Sequence, residues 1–383
     1  MQSYDAVICS GVETLLPWLL SVSALVYLAR LVFFMSGQSR SKRVRPSSTE
    51  EWLPRVSVVV PARNEEQNIV SCATSLLASD YPHDKLEIII VNDRSSDSTG
   101  ALIDSIAQQN TVLRALHRSE QDAVDNLRGK PGALQFGIER ATGEIILLTD
   151  ADCRVQQHWI RTMIEPFRDD KVGMVCSFTT VRRGNFFALI QDIEWLYTSS
   201  MAQSANTNGQ PLGCFGNNMA VRSSAFHDIG GYRAIPFSVT EDLALLQAVG
   251  RLGLDVAFIC EPNSRVETEP CPTLFEYLRQ KQRWVQGGLG LGWRGQAFAA
   301  TSVFYWFGLV TSIVLGQWPW IALFLCLRLL GDGMLIANSA IRLRRYYLLG
   351  AVAPTILQLL LLELLLPLLA FQKRVVWKGQ TFR

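Results

Sequence analysis

The chain has 383 residues, a formal net charge of +2, and 49% hydrophobic against 18% charged residues. That length allows one large or two small domains with additions, the near-neutral charge argues against a nucleic-acid binder, and the apolar balance fits a soluble domain joined to membrane segments. The eight cysteines form no CxxC pair and the four histidines have no ligand-like spacing, which argues against zinc and fits buried free thiols on a reducing, cytosolic face.

Residues 15–35 form an apolar run long enough to span a bilayer, with Arg30 near its end. No small-residue cleavage site follows, and the basic cluster Arg40, Lys42, Arg43 and Arg45 lies after the run. It therefore reads as a transmembrane segment rather than a signal peptide, with its C-terminal side cytoplasmic. Residues 1–35 are the expected N-terminal membrane segment and 36–54 a basic linker.

The soluble domain is expected over 55–270. Val56–Val60, Leu86–Val91 and Ile145–Thr149 are short, apolar and β-branched, as suits parallel strands buried on both faces. Helix-like segments near 65–79, 97–109 and 131–141 alternate with them, which predicts an α/β fold with an open, mostly parallel twisted sheet. Asp97-Ser98-Thr99 reads as a helix cap, and later strands are expected near 172–180, 214–222 and 256–260. Segment 185–201 has helical apolar spacing and fits either a helix packed on the sheet or an interfacial helix near an acceptor. Thr240 reads as the N-cap of a helix carrying Glu241 and Asp242.

Residues 271–300 are expected to form an interfacial helix. Its glycine-rich stretch 287–292 has neither the spacing nor the context of a dinucleotide loop and reads as a flexible joint. A transmembrane region over 301–372 is predicted with spans near 303–318, 319–340 and 347–371, followed by a basic tail, 373–383. Arg342, Arg344 and Arg345 favour the cytoplasmic side, as do Lys373 and Arg374. A single crossing between the two groups cannot satisfy both. Segment 347–371 contains Pro354, Glu363 and Pro367 and so reads as bent or re-entrant.

Within this frame lie five ordered signatures: Pro61-Ala62-Arg63-Asn64-Glu65, Asn92-Asp93, Asp150-Ala151-Asp152, Thr240-Glu241-Asp242 and Gln280-Lys281-Gln282-Arg283-Trp284. Carboxylates at strand ends suit ligand binding in an α/β sheet. Asp150 and Asp152 offer hard oxygen ligands to a cation that shares its shell with diphosphate oxygens; alone, such a pair also fits a solvated turn. Asp93 can accept from a base or ribose, or cap the next helix. Lys130 can meet a phosphate or a base carbonyl, or sit exposed in a turn. Asp242 near a helix N-terminus can act as a general base, although first-turn dipole charge explains it locally. Gln280, Arg283 and Trp284 place an amide, a guanidinium and an indole within about one helical turn. They can serve a diphosphate and a sugar, or anchor a membrane-surface helix.

Together these signatures resemble the membrane-bound inverting glycosyltransferases of family 2, with the GT-A fold, over about residues 55–290. The resemblance implies a nucleoside-diphosphate sugar donor, usually a UDP-sugar, and Mg²⁺ or Mn²⁺. It implies donor binding by Pro61, Ala62, Asn64, Glu65, Asp93 and Lys130, with Ala62, Glu65 and Asp93 on the nucleoside. It places Asp150, Ala151 and Asp152 at the diphosphate, with Asp150 and Asp152 on the metal. Asp242 would be the base of a single displacement, and Gln280, Arg283 and Trp284 would close over the diphosphate and acceptor entrance. The C-terminal Trp377-Lys378-Gly379-Gln380-Thr381-Phe382-Arg383 is similar to the tail of lipid and carotenoid glucosyltransferases, with Gln380 and Phe382 departing from the usual Arg and Tyr. The expected protein is a multi-pass membrane enzyme with a cytoplasmic catalytic domain that glycosylates a lipid. A processive polysaccharide synthase extending a glycan, or an inactive nucleotide-sugar-binding scaffold, is the alternative.

Overall fold

A computed structural model describes residues 2–41, 43–44, 52–122, 127–370, 375–377 and 380–382. The expected basic positions Lys42, Arg45, Lys373, Arg374, Lys378 and Arg383 lie outside the described residues. Helix α1 (Gln2–Arg40) carries the first apolar run and continues into the expected linker.

The three β-branched runs become β1 (Val56–Ala62), β2 (Leu86–Asp93) and β4 (Ile145–Leu148), and a strand not anticipated from the sequence, β3 (Leu113–Arg118), which has no β-branched residue, lies beside β2. Between them run α2 (Ile69–Leu77), α3 (Thr99–Gln109) and α4 (Gly129–Ile138). The second half adds β5 (Cys153–Val155), α5 (Trp159–Ile164), β6 (Val172–Ser177), β7 (Thr179–Val181) and α6 (Phe186–Thr207). Then come β8 (Met219–Arg222), α7 (Ser223–Ile229), α8 (Gly231–Ala234), α9 (Glu241–Arg251), β9 (Asp255–Ile259), β10 (Val266–Thr268) and α10 (Leu274–Gly288).

Seven strands form one sheet in the order β3-β2-β1-β4-β8-β6-β9, and β5-β10-β7 form a small second one. In the larger sheet the pairs β1–β2, β2–β3, β1–β4 and β6–β9 are parallel, and among its described strands only β8 runs against its neighbours; in the smaller one β5 is antiparallel and β7 parallel to β10. The chain moves outward from β1 to β3 and then returns to the other side of β1 at β4. That reversal opens a crevice at the carboxyl ends of β1 and β4, where α/β sheets hold ligands.

Strand alternation sorts the core into two faces. Val58, Val60, Ile88, Ile90, Ile145 and Leu147 pack with α2 and α5. Val59, Ile89, Val91, Ile146 and Leu148 pack with α4, α6 and α9, in a cluster that continues to Leu335, Ile336, Ala340 and Ile356. The sheet is thereby joined to the C-terminal helices through one apolar core. Helix α6, capped by Asn185 accepting from the Ala188 amide, is packed on the sheet and also covered by α1 and the C-terminal helices. The sheet-packed alternative therefore describes segment 185–201.

The C-terminal region holds α11 (Trp293–Val314), α12 (Trp318–Cys326), a π-helical turn (Leu327–Asp332), α13 (Gly333–Arg342), a 3₁₀ turn (Tyr346–Ala351) and α14 (Val352–Ala370). Four helical stretches are long and apolar enough to cross a membrane: Leu15–Arg40, Trp293–Val314, Trp318–Arg342 and Tyr346–Ala370. The first C-terminal one starts at Trp293, within the segment expected to be interfacial. The tail forms a short hairpin, β11 (Val375–Trp377) with β12 (Gln380–Phe382), beside α10.

Candidate active site

One cavity of about 1680 Å³ runs from the carboxyl ends of β1 and β4 to α11 and α14. It is lined by Pro61, Ala62, Glu65, Asp93, Lys130, Asp150, Ala151, Asp152, Asp242, Gln280, Arg283 and Trp284. Asn64 is the expected site residue that does not line it. Its φ of 52° and its Oδ1, which accepts from the Ser96 amide at 2.9 Å, tie the loop after β1 to the loop after β2. Asn64 therefore shapes the site from behind, and its neighbour Arg63 lines the cavity instead.

Asp93 ends β2 almost fully buried. Arg94 Nε lies 2.9 Å and Arg118 Nη1 3.1 Å from its Oδ1. Two guanidiniums thus neutralise and fix this carboxylate, and it does not cap the next helix. Asp97 does that, with Oδ1 accepting from the Thr99 amide at 3.0 Å.

Lys130 lies in the first turn of α4, not in an exposed turn. Its Nζ is 2.7 Å from Asp150 Oδ1 and 2.9 Å from Glu241 Oε1. Burial opposes its charge, but Asp150 and Glu241 outweigh that and hold it well above the usual lysine range. Asp242 accepts from the Gly216 amide at 2.7 Å and from its neighbour Leu243 at 2.8 Å. Burial and then the Glu241 carboxylate push its pKa up to about 7, against the pull of Lys130 and of those two amides. A Cβ on Gly216 would sit 3.0 Å from Glu241 Oε1 and 3.1 Å from Lys130 Nζ, so any larger residue there would push these two side chains aside by a few tenths of an ångström. Thr240 stands at the N-cap position, but its side chain makes no cap bond and meets Ser238 Oγ at 3.1 Å. Gly287 explains this: α10 crosses so closely that a Cβ there would collide with the Thr240 side chain. The glycine run is a packing contact at its start, followed by a 3₁₀ turn, Leu289–Leu291.

Helix α10 is capped by Thr273 accepting from the Glu276 amide. Trp284 meets Trp195 edge to face at 4.9 Å between ring centroids, and Phe215 at 5.9 Å. Lys281 Nζ lies 3.7 Å from the Trp284 ring and 2.6 Å from Glu194 Oε1. Tyr277 donates to Glu194 Oε2 at 2.6 Å. Sequence reasoning missed Glu194, Arg118 and Gly216, and placed Lys281 and Glu241 within its signatures without giving them a role. For Glu194 the signal was a charge on the apolar pattern of α6.

Among the described residues no group of three His, Cys, Asp or Glu gathers as a metal centre. Asp150 and Asp152 nevertheless fit a hard cation that takes its remaining ligands from a diphosphate, since Mg²⁺ is commonly held by one or two carboxylates plus phosphate oxygens. Both carboxylates line the cavity, at the turn between β4 and β5.

Residues 57–230 match the sequence family "Glycosyl transferase family 2", and residues 145–371 match "Glycosyl transferase family group 2". A beta-monoglucosyldiacylglycerol synthase of Trichormus variabilis is 32% identical over 62% of this chain and 49% of its own length. A poly-beta-1,6-N-acetyl-D-glucosamine synthase of Staphylococcus aureus is 28% identical over 67% of this chain and 60% of its own. The chain spans about half the length of the first of these relatives. Among solved structures, a mannosyltransferase from Pyrobaculum calidifontis in complex with GDP-Man and Mn²⁺ superposes with a TM-score of 0.60 at 21% identity, covering 89% of this chain and 99% of that one. The likeness shows that the mixed sheet and its flanking helices are a GT-A fold.

Proposed function

The chain belongs to glycosyl transferase family group 2, and on that premise we propose that it transfers one sugar from a nucleoside-diphosphate sugar, in the first instance a UDP-sugar, to a membrane lipid with inversion. The observation that carries this reading is the single cavity joining Asp93, Asp150 and Asp242 to the apolar faces of α11 and α14. A polar donor and an apolar acceptor can meet there at one carboxylate.

In this reading Pro61, Ala62, Glu65 and Asp93 hold the nucleoside. Asp242 takes the proton of the acceptor hydroxyl as that oxygen attacks the anomeric carbon and the bond to the diphosphate breaks. Arg283 neutralises the departing diphosphate, and Gln280 and Trp284 border the acceptor side. Mg²⁺ or Mn²⁺ held by Asp150 and Asp152 would supply further positive charge for the diphosphate.

The same reading places the catalytic domain on the cytoplasmic face with three crossings: α1, α11, and α12 with α13. Arg345, just before the 3₁₀ turn that leads into α14, pairs with Asp192 of α6, and Gln286 of α10 donates to the Ala370 carbonyl at the end of α14 at 2.8 Å. This segment thus meets α6 and α10 at its two ends. A helix that does not cross leaves Arg342, Arg344, Arg345, Lys373 and Arg374 all on one side.

The deciding experiment is turnover by purified protein in detergent with a panel of UDP-sugars, Mn²⁺ and total membrane lipid, read by mass spectrometry. A lipid heavier by one sugar is expected. Asp242→Asn should lower the rate about 10²–10⁴-fold while nucleotide binding persists. A ladder of oligomers overturns single transfer in favour of polymer synthesis.

A further inference from the structure

The catalytic reading leaves a cluster of charges among the apolar helices unexplained. Arg30 of α1, Arg328 and Asp332 of the π-helical turn, and Glu363 of α14 lie within segments apolar enough to cross a membrane. Ionisable groups in such segments are costly and by default mark a functional site. π-helical turns are likewise frequent at functional sites.

The cluster has a rigid back and an open front. At the back, Arg328 Nε lies 2.9 Å from Asp332 Oδ2, Tyr27 donates to the same oxygen at 3.0 Å, and Arg328 Nη1 donates to the Tyr27 hydroxyl at 2.9 Å. At the front, Glu363 Oε2 is 3.0 Å from Arg328 Nη2, whereas Oε1 is 3.9 Å from Arg30 Nη1. Arg30 Nη1 donates to Ser302 Oγ at 2.9 Å, and the guanidinium carbon lies 4.4 Å from the Phe298 ring centroid. Glu363, Ser302 and Phe298 line the catalytic cavity, so this front faces into it. Trp306 also lines the cavity, and its buried indole N–H has no partner among the described residues.

The surrounding wall is apolar: Val303 of α11 and Leu364 of α14 line the cavity and are exposed. These two helices barely touch each other, and the cavity that Glu363 lines also holds Asp242.

We propose that this membrane end of the cavity is an acceptor-selecting subsite: Glu363 Oε1 and Ser302 accept or exchange hydrogen bonds with the hydroxyl-bearing linkage region of an uncharged lipid, and Trp306 donates to it. The inference rests on the lipid-transfer reading above and names the class of lipid. Its charge logic is specific. Two guanidiniums face two carboxylates, so no cation is left over for a phosphate, and the group offered to the cavity is itself a carboxylate. A lipid phosphate is repelled there, whereas hydroxyls, or amide N–H groups, are matched.

The test uses the full chain in detergent micelles with equal amounts of a diacylglycerol and a polyprenyl phosphate, retained lipid being read by native mass spectrometry. Nucleotide affinity and sugar transfer are measured alongside. The wild type should retain the diacylglycerol in preference. Glu363→Gln should weaken that retention, and raise the acceptor KM, by about tenfold, the scale of one charge-assisted hydrogen bond, with nucleotide affinity unchanged. Trp306→Phe removes the indole N–H together with part of a ring that packs beside Tyr305, so its loss of retention counts only where thermal unfolding and nucleotide affinity match the wild type. Preference for the polyprenyl phosphate, or equal diacylglycerol retention by wild type and both variants, overturns the subsite. Retention that shows these losses without any sugar transfer by the wild type supports the subsite and overturns the transferase reading instead.

Discussion

Asp242 sits between two charges that act on it in opposite directions. Glu241 raises its proton affinity and Lys130 lowers it, while burial sets the overall level near a pKa of about 7. A base that must be ionised gives a rate that rises with pH through that value and levels off above it. The neighbours then predict shifts of opposite sign. Glu241→Gln removes a repulsion, so the acidic limb of kcat/KM should move to lower pH. Lys130→Met removes an attraction, so the limb should move to higher pH, with a lower plateau because Asp150 also loses its partner. Measuring kcat/KM against pH for the three proteins checks both signs. Shifts in the same direction would mean that another group controls the limb. Residue identities at this scale were legible because each motif residue is defined by local order. What surrounds them was not. Asn64 belongs to a motif but spends its side chain on the Ser96 amide. Arg118 reaches Asp93 from a neighbouring strand that has no motif of its own.

Helix α10 shows how an element is held so that a motif can act. Its Lys281 and the Glu194 of α6 are both almost fully buried and pair at 2.6 Å. Tyr277 adds a hydrogen bond to the same carboxylate and accepts one from Gln358 of α14 at 2.6 Å. Three helices therefore meet at Glu194. Removing one member of a buried pair leaves the other uncompensated, at a cost of about 3–5 kcal/mol, whereas removing both charges costs less. Lys281→Met should accordingly destabilise the protein and lower turnover, and Lys281→Met with Glu194→Gln should recover most of the stability. Thermal unfolding of the single and double variants decides this; additive losses would show that the pair does not couple the helices. Helix α10 itself was legible from its amphipathic spacing, α9 from the carboxylates after Thr240, and the long strands from their β-branched runs. The three-residue strands β5, β7 and β10 were not, because so short a segment carries no periodic signal. The Lys281–Glu194 pair spans 87 residues, and only packing brings it together.

At the scale of the whole molecule, the sequence posed a conflict that hydropathy alone could not resolve. Arginines before α14 and basic residues after it both favour one side of a membrane, yet α14 is long and apolar enough to cross. Its contacts fit the non-crossing topology proposed above. Arg345, before the 3₁₀ turn that leads into α14, pairs with Asp192 of α6, while Gln358 in the middle of α14 and Ala370 at its end bond Tyr277 and Gln286 of α10. In that topology α14 runs alongside α6 and α10 instead of leaving them. Hydropathy measures how apolar a segment is, and a helix lying against α6 and α10 with its outer face in lipid needs to be as apolar as one that spans. The arrangement also places Glu363 at the cavity wall, 3.9 Å from Arg30 Nη1. This topology predicts that Tyr346→Cys and a peptide tag appended to the C-terminus are both reached from the side bearing the catalytic domain. Gln317→Cys, in the turn between α11 and α12, should be reached from the other side. An impermeant thiol reagent and a protease applied to sealed, inverted vesicles test this, in a background with Cys271 and Cys326 replaced by alanine. If the tag and position 346 respond from opposite faces, α14 crosses, and the acceptor cavity between α11 and α14 must be drawn as a gap between two spanning helices.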